Sequence, residues 1–255
     1  MRRIFFLLLL AISGSAAAQQ RLIDIPVRAG VTLPVFWMPR DGAGVTVVLL
    51  PGGNGGFGQM VDGQPDGANF LVRSRDYFAA QGFNVALLGR PSDMADLGYA
   101  YRSGAEHVGD LKQVVAAIRQ LSGQPIWLVG TSRGTVSATA AAIAFGNEQL
   151  AGLVLASSIV SGSKPGNIPS QALQRIRIPV LLLHHARDAC AVTRPADVPA
   201  ILQGLSQAPV KKLIVVDGGA NPGGKPCGPG HWHGYVGMQK EAVETIAAWI
   251  SNPTD

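Results

Sequence analysis

Residues 125–134 read Pro-Ile-Trp-Leu-Val-Gly-Thr-Ser-Arg-Gly. A short apolar run passes into Gly130-x-Ser132-x-Gly134, and an Ala-rich stretch, residues 133–145, follows. The apolar run predicts a strand buried on both faces, and the Ala-rich stretch predicts a helix. Where a strand turns directly into a helix, the two backbones nearly touch. Glycine on either side of the serine leaves room where a Cβ would collide. Such a turn lifts the Ser132 Oγ above the sheet edge. It also presents the N–H of Arg133 to a developing oxyanion. A bare G-x-S-x-G is weak, because a small-residue turn with an N-cap serine has the same letters. The strand before it and the helix after it give it weight.

The pattern repeats outward from this point. Residues 45–50, 83–88, 153–156, 180–183 and 213–216 are further short apolar runs, and 22–27 and 32–38 read as two opening strands around Ala29-Gly30. Between them, residues 108–121 carry an apolar face at helical spacing, and 133–145, 197–205 and 240–250 read as helices. Eight strands alternating with helices predict a doubly wound, mostly parallel sheet, read as one domain.

A nucleophilic serine needs a base and an acid that orients the base. After this turn they follow in the order Ser, Asp or Glu, His. The run 180–183 leads into His184-His185-Ala-Arg187-Asp188, and the run 213–216 leads through a loop to His231-Trp-His233-Gly-Tyr. Both fall at the same sheet edge as Ser132. Asp188 is the expected acid, with Asp197 and Asp217 as rivals. His231 and His233 compete as the base. His184 and His185 come too early in the chain and read as strand-end packing, and His107 reads as a surface residue.

The chain here resembles the α/β-hydrolase family over essentially its whole length after residue 18. The resemblance rests on the turn at Ser132, the order of the three residues, and the Gly-rich loop Pro51-Gly52-Gly53-Asn54-Gly55-Gly56. It implies an exported serine hydrolase acting on small or medium carboxylic esters through Ser132, His233 and Asp188. His233-Gly-Tyr is similar to the family's histidine motif, which favours His233 over His231. The resemblance further implies an oxyanion hole from the N–H groups of Gly53 and Arg133. Proline stands at 51 where the family usually has histidine, which leaves Asn54 as a rival donor. Asn54, Phe57, Met60 and His231 are candidates for lining the cleft. Only 21 residues, 158–178, are free for a lid, with room for one short helix near 169–175. No metal or organic cofactor is implied. A serine peptidase on the same fold, a non-catalytic binding relative, and a lyase or transferase variant are the alternatives.

A competing motif, Gly53-x-Gly55-x-x-Gly58, has the letters of a dinucleotide loop. No helix opens directly behind it, and the next strand ends in Leu88-Gly89-Arg90 with no acidic residue for a ribose.

Composition agrees with this reading. Of 255 residues, 47% are hydrophobic and 15% charged, which excludes a disordered chain. Glycine is in excess at 32 residues but shows no three-residue period, which excludes collagen. Arg2-Arg3, the apolar run 4–12 and Ala16-Ala17-Ala18 have the layout of a secretory leader cut after Ala18. That run is too short to span a bilayer, so a periplasmic or secreted protein with no membrane anchor is expected. The remaining basic residues are scattered and form no nucleic-acid patch. In an exported protein the two cysteines, Cys190 and Cys227, are expected to pair.

Overall fold

The computed structural model describes residues 19–255. The expected leader, residues 1–18, lies outside them. Strands β1 (Arg21–Arg28), β2 (Val31–Met38), β3 (Thr46–Leu50), β4 (Asn84–Leu88), β5 (Ile126–Thr131), β6 (Gly152–Ala156), β7 (Val180–His185) and β8 (Lys211–Val216) form one sheet. Their order is β1-β2-β4-β3-β5-β6-β7-β8. β2 is antiparallel to both neighbours, and every other pair is parallel. The strand bounds lie within two residues of those read from the sequence.

The central strands are buried on both faces, which is why they read as unbroken apolar runs. Alternate residues enter two separate cores. Val48, Leu50, Leu128, Leu153 and Leu155 face one core, which also takes side chains of α4 (Ala105–Leu121), α5 (Arg133–Phe145) and α6 (Pro199–Gly204). Val47, Leu49, Trp127, Val129 and Val154 face the other, beneath α1 (Phe70–Arg73), α2 (Arg75–Ala80) and α7 (Gln239–Ser251). β8 closes the sheet as a half-exposed edge, with Lys211 and Lys212 at its start. Charged residues of this kind discourage pairing with a second chain.

The helices differ more from expectation. α1, α2 and α3 (Tyr99–Ser103) are four to six residues long, too short to show a period in sequence. The segment after β6 holds two 3-10 turns, Ile168–Ser170 and Leu173–Arg175, in place of one short helix. Residues 197–205 split into a 3-10 turn at Pro195–Asp197 and then α6, which starts at Pro199.

His107 is not a surface residue but is 3% exposed. The buried face of α4 runs His107, Asp110, Leu111, Val114, Val115, Ile118. The apolar stripe therefore extends back to His107, one residue before Val108. His107 Nε2 lies 2.9 Å from Ser137 Oγ on α5.

Parallel pairing of β3, β5, β6, β7 and β8 brings the loops after them out at one edge. That edge carries Pro51, Ser132, Ser157, Asp188 and the loop to His233.

Two buried histidines make stability depend on pH. Burial, helped by the nearby charges of Arg102 and Arg28, lowers His107 to about 3. Burial likewise lowers His184 to about 4, against the opposing charge of Asp188. In the unfolded chain a histidine titrates near ~6.5. Folded values below the unfolded one mean the unfolded chain binds more protons, so stability falls as pH drops. The loss should begin as pH passes below ~6.5 and continue toward about 4 and then about 3. Urea midpoints should fall between pH 7.5 and 5.0, and His107→Gln should flatten that slope. An unchanged slope in the variant would contradict this.

Candidate active site

Ser132 stands in the turn between β5 and α5 with φ 51° and ψ −126°. A non-glycine residue there is strained by ~1–3 kcal/mol and persists only where its surroundings fix it. They do so from both sides. Ser132 N donates to Ala156 O at 3.0 Å, and Ser132 O accepts from Thr135 N at 2.9 Å and Thr135 Oγ1 at 2.6 Å. The flanking glycines are sterically required. A Cβ on Gly130 would lie 2.7 Å from Gly134 O, and one on Gly134 would overlap the Leu50 carbonyl. Arg133 is the first residue of α5, so its N–H has no partner within the helix. Its side chain turns outward, over the Tyr99 ring at 4.9 Å and 3.6 Å from Asp96.

Across the edge, His233 Nδ1 lies 3.0 Å from Asp188 Oδ2, and both side chains are buried. Asp188 has further partners. Cys190 N donates to its Oδ1 at 3.0 Å, and Thr193 Oγ1 donates to its Oδ2 at 2.9 Å. Thr193 Oγ1 is also 3.2 Å from His233 Nδ1. Burial pushes the Asp188 carboxyl up. The hydrogen bond and charge of His233, with Cys190 N–H and Thr193, outweigh it and hold the group below its usual value. The backbone of His233 is fixed as well: Ser157 Oγ donates to its carbonyl at 3.0 Å. Tyr235, fully buried, donates from its hydroxyl to Leu183 O at 2.7 Å.

The loop after β3 is held by its carbonyls. Arg102 Nη2 donates to Pro51 O at 3.2 Å and Gly53 O at 3.3 Å. Gly55 N donates to Gly52 O at 3.0 Å, and Leu97 N to Asn54 O at 2.9 Å. Arg90 Nη1 donates to Gly55 O at 3.3 Å. Every carbonyl from 51 to 55 is therefore occupied. In a trans peptide the N–H points opposite to the C=O, so the N–H groups of Gly52, Gly53 and Asn54 face away from these donors. Arg102 is itself 1% exposed and also bonds Leu97 O and Ser137 Oγ. It has no carboxylate partner among the described residues. Burial, then the like charge of Arg133, lowers it to about 9.

Ser132, His233, Gly53 and Asn54 line one cavity of about 260 Å³. Seven of its 17 lining residues are glycine, so main chain makes a large share of the wall. Asn69, Thr131 and Arg90 also line it. Asn69, Thr193 and Tyr235 were not singled out from sequence as site residues. An Asn directly before an apolar run is the one signal available for Asn69, which caps α1 by accepting from Leu71 N at 3.0 Å.

Other candidates stand elsewhere. Phe57 is not among the lining residues. It is 6% exposed and packs into the core beneath α1, α2 and α7, where an apolar ring is removed from water. Met60 lies in a small exposed hairpin pairing Met60–Val61 with Gln64–Pro65. His231 does not line the cavity either. Its carbonyl accepts from Gly234 N and Val236 N, and its ring lies edge-on to Trp232. It shapes the turn that carries His233. Asp197 pairs with Arg194 at 2.6 Å and Asp217 with Arg187 at 2.7 Å, both away from His233. His184 Nε2 accepts from Ser158 N at 2.9 Å, and His185 stacks on Trp232 with centroids 5.0 Å apart.

Cys190 and Cys227 form a disulfide that ties the Asp188 loop to the loop leading to His233. Among the described residues no group of three or more His, Cys, Asp or Glu could hold a metal, and no helix is long and apolar enough to cross a membrane.

No protein-family model matches the chain, and no curated protein matches it in sequence. Solved structures do match it. A Coxiella burnetii α/β serine hydrolase homologue superposes with a TM-score of 0.60 at 18% identity, over 95% of this chain and 100% of that one. An esterase of Pyrococcus furiosus superposes with a TM-score of 0.68 at 14% identity, over 91% of each chain. Est1E of Butyrivibrio proteoclasticus, solved with ferulic acid, gives 0.62 at 15% identity, over 90% and 100%. The fold is that of the α/β hydrolases.

The disulfide closes a separation of 37 residues. By chain entropy this contributes ~4 kcal/mol. Replacing both cysteines with serine should lower the urea-derived stability by about that amount. A loss under ~1 kcal/mol would show that the bridge is not a main constraint on these loops.

Proposed function

We propose that the protein is a serine hydrolase that cleaves small to medium carboxylic esters, with Ser132 as nucleophile, His233 as base and Asp188 as the orienting acid. The observation that carries this reading is the buried 3.0 Å contact between His233 Nδ1 and Asp188 Oδ2, on a ring that lines the same cavity as Ser132. The esterase and serine-hydrolase names of the structural neighbours support it.

In this mechanism Asp188 fixes the proton on His233 Nδ1 and leaves Nε2 free to accept. As Ser132 Oγ attacks the ester carbonyl carbon, its proton passes to Nε2. The carbonyl oxygen becomes an oxyanion, held by the N–H of Arg133 and by N–H groups of the 51–55 loop, Gly53 first among them. Asp188, kept ionised by its own hydrogen bonds, stabilises the imidazolium. The intermediate collapses, the C–O bond to the alcohol breaks, and Nε2 protonates the departing oxygen. Water, deprotonated by the same nitrogen, then hydrolyses the acyl-serine.

The cavity size supports a short substrate over an extended peptide. At about 260 Å³ it falls below the ~300–1,000 Å³ usual for drug-sized ligands. The disulfide supports reading residues 1–18 as an export leader, since such bonds persist in oxidising compartments.

Ser132→Ala should lower kcat/KM for 4-nitrophenyl acetate by at least ~10⁴-fold and abolish labelling by a fluorophosphonate. Asp188→Asn should lower kcat by ~10⁴-fold while labelling slows. Undiminished turnover in Ser132→Ala would refute the assignment. In a series of 4-nitrophenyl esters, kcat/KM should peak at short acyl chains, and peptide anilides should not be cleaved. Faster cleavage of the anilides would favour the peptidase.

A further inference from the structure

The Ser132 cavity has a charge that the hydrolytic mechanism does not use. Among the described residues, Arg90, two residues past β4, is the only Arg or Lys that lines the cavity, and no Asp or Glu lines it. Its stem lies on Gly56, where a Cβ would come within 3.1 Å of Arg90 Cγ. One guanidinium nitrogen, Nη1, is bonded to Gly55 O. Nη2 and Nε have no protein acceptor among the described residues.

The other arginines near this edge are committed. Arg133 and Arg187 have carboxylate partners, Asp96 and Asp217. Arg73 is bonded to the carbonyls of Ala68, Pro229 and Gly234. Arg102 is bonded to four protein oxygens. The nearest acidic candidate in the loop, Asp66, turns its Oδ1 to Gln59 N at 2.7 Å and lies outside the lining. Beneath the loop, Arg102 adds a second cation with no carboxylate in direct contact among the described residues. A recess lined by one sign of charge concentrates ions of the other sign. A guanidinium with an unoccupied edge matches a carboxylate, which it can bind through two parallel hydrogen bonds.

We propose that Arg90 is a specificity-determining residue of an anion subsite in the Ser132 cavity, and that the preferred substrates are esters carrying a free carboxylate. The proposal builds on the hydrolase reading and narrows its substrate class. One guanidinium edge and a small cavity fit a single carboxylate close to the scissile bond, on either the acyl or the alcohol side.

Two ester pairs separate the sides. Mono-4-nitrophenyl glutarate against its methyl ester places the carboxylate in the acyl group. 4-Acetoxybenzoate against methyl 4-acetoxybenzoate places it in the alcohol. The wild type should prefer the charged member of at least one pair by roughly 10–100-fold in kcat/KM, the range for a charge-assisted bidentate contact. Arg90→Met should collapse that ratio to near one, Arg90→Lys should leave an intermediate ratio, and added salt should lower it. No preference in either pair, or an equal fall for both members in Arg90→Met, would overturn the proposal; the equal fall would mean that Arg90 only braces Gly55.

A binding arm works without turnover. Calorimetry with monomethyl glutarate should detect binding to Ser132→Ala and none to Ser132→Ala with Arg90→Met. Binding that depends on Arg90 in a protein whose wild type hydrolyses no ester would keep the subsite and remove the hydrolase reading. Ester hydrolysis with no preference and no Arg90-dependent binding would do the reverse.

Discussion

Backbone contact among Gly130, Gly134 and Leu50 determines where Ser132 can stand. β3 and β5 are paired so that Leu50 lies opposite Gly130. α5 must begin directly over that pair, with Gly134 against the Leu50 carbonyl. With no side chain between them, the chain can pass from strand to helix only through a residue of positive φ, and that residue is Ser132. The same closeness brings the loop after β3 alongside. A Cβ on Gly52 would fall 2.8 Å from Ser132 Cβ. Ser132 and the main-chain N–H groups of the loop after β3 are thus set by one packing event, and the ~1–3 kcal/mol of local strain is borne by the sheet behind it.

The two sides of the site are fixed by different means. On the side of the loop after β3, a buried guanidinium and nearby N–H donors occupy five successive carbonyls. Burying Arg102 without a carboxylate is costly, and its full set of carbonyl and hydroxyl acceptors is what makes that tolerable. On the side of Asp188 and His233, the chain is long and irregular, and the tethers are side chains and a covalent bond. Thr193 bridges Asp188 and His233, Ser157 and Tyr235 hold the His233 turn to β6 and β7, and the disulfide joins the two loops.

What could be read from the sequence follows the same division. The strands were legible because sheets buried on both faces leave continuous apolar runs, and residues 126–131 are the clearest case. The turn at Ser132 was legible because close backbone approach demands glycine at fixed offsets. Order after successive strands pointed to Asp188 and to the pair His231 and His233, and only the family resemblance of His233-Gly-Tyr chose between the two histidines. Thr193 was not legible: a threonine five residues beyond an aspartate has no signature until the loop is folded. Arg102 was hidden for a related reason. α3 is five residues long, and an arginine in so short a helix reads as solvated rather than as a buried brace. His107 was misplaced by one position in the helical period, which moves a side chain by ~100° around the axis.

A wall made of glycine has a consequence for selectivity. Side chains give a pocket most of its chemical character, and here seven of the lining positions contribute none. The peptide groups that replace them are oriented, with carbonyls turned to Arg102, Arg90 and the loop's own N–H groups. What they leave toward the opposite side is N–H, which favours negative charge. Under the proposed reading, selection among substrates falls to the polar side chains on that wall, Asn54, Asn69 and Arg90 among them, set beside main-chain N–H groups that favour an anion. The glycine-rich loop and the N–H groups it turns toward Ser132 are in that sense one feature. Stripping the loop of side chains lets its backbone approach Ser132, and the same backbone, once pinned by its carbonyls, sets the sign of the field in which an ester would be bound.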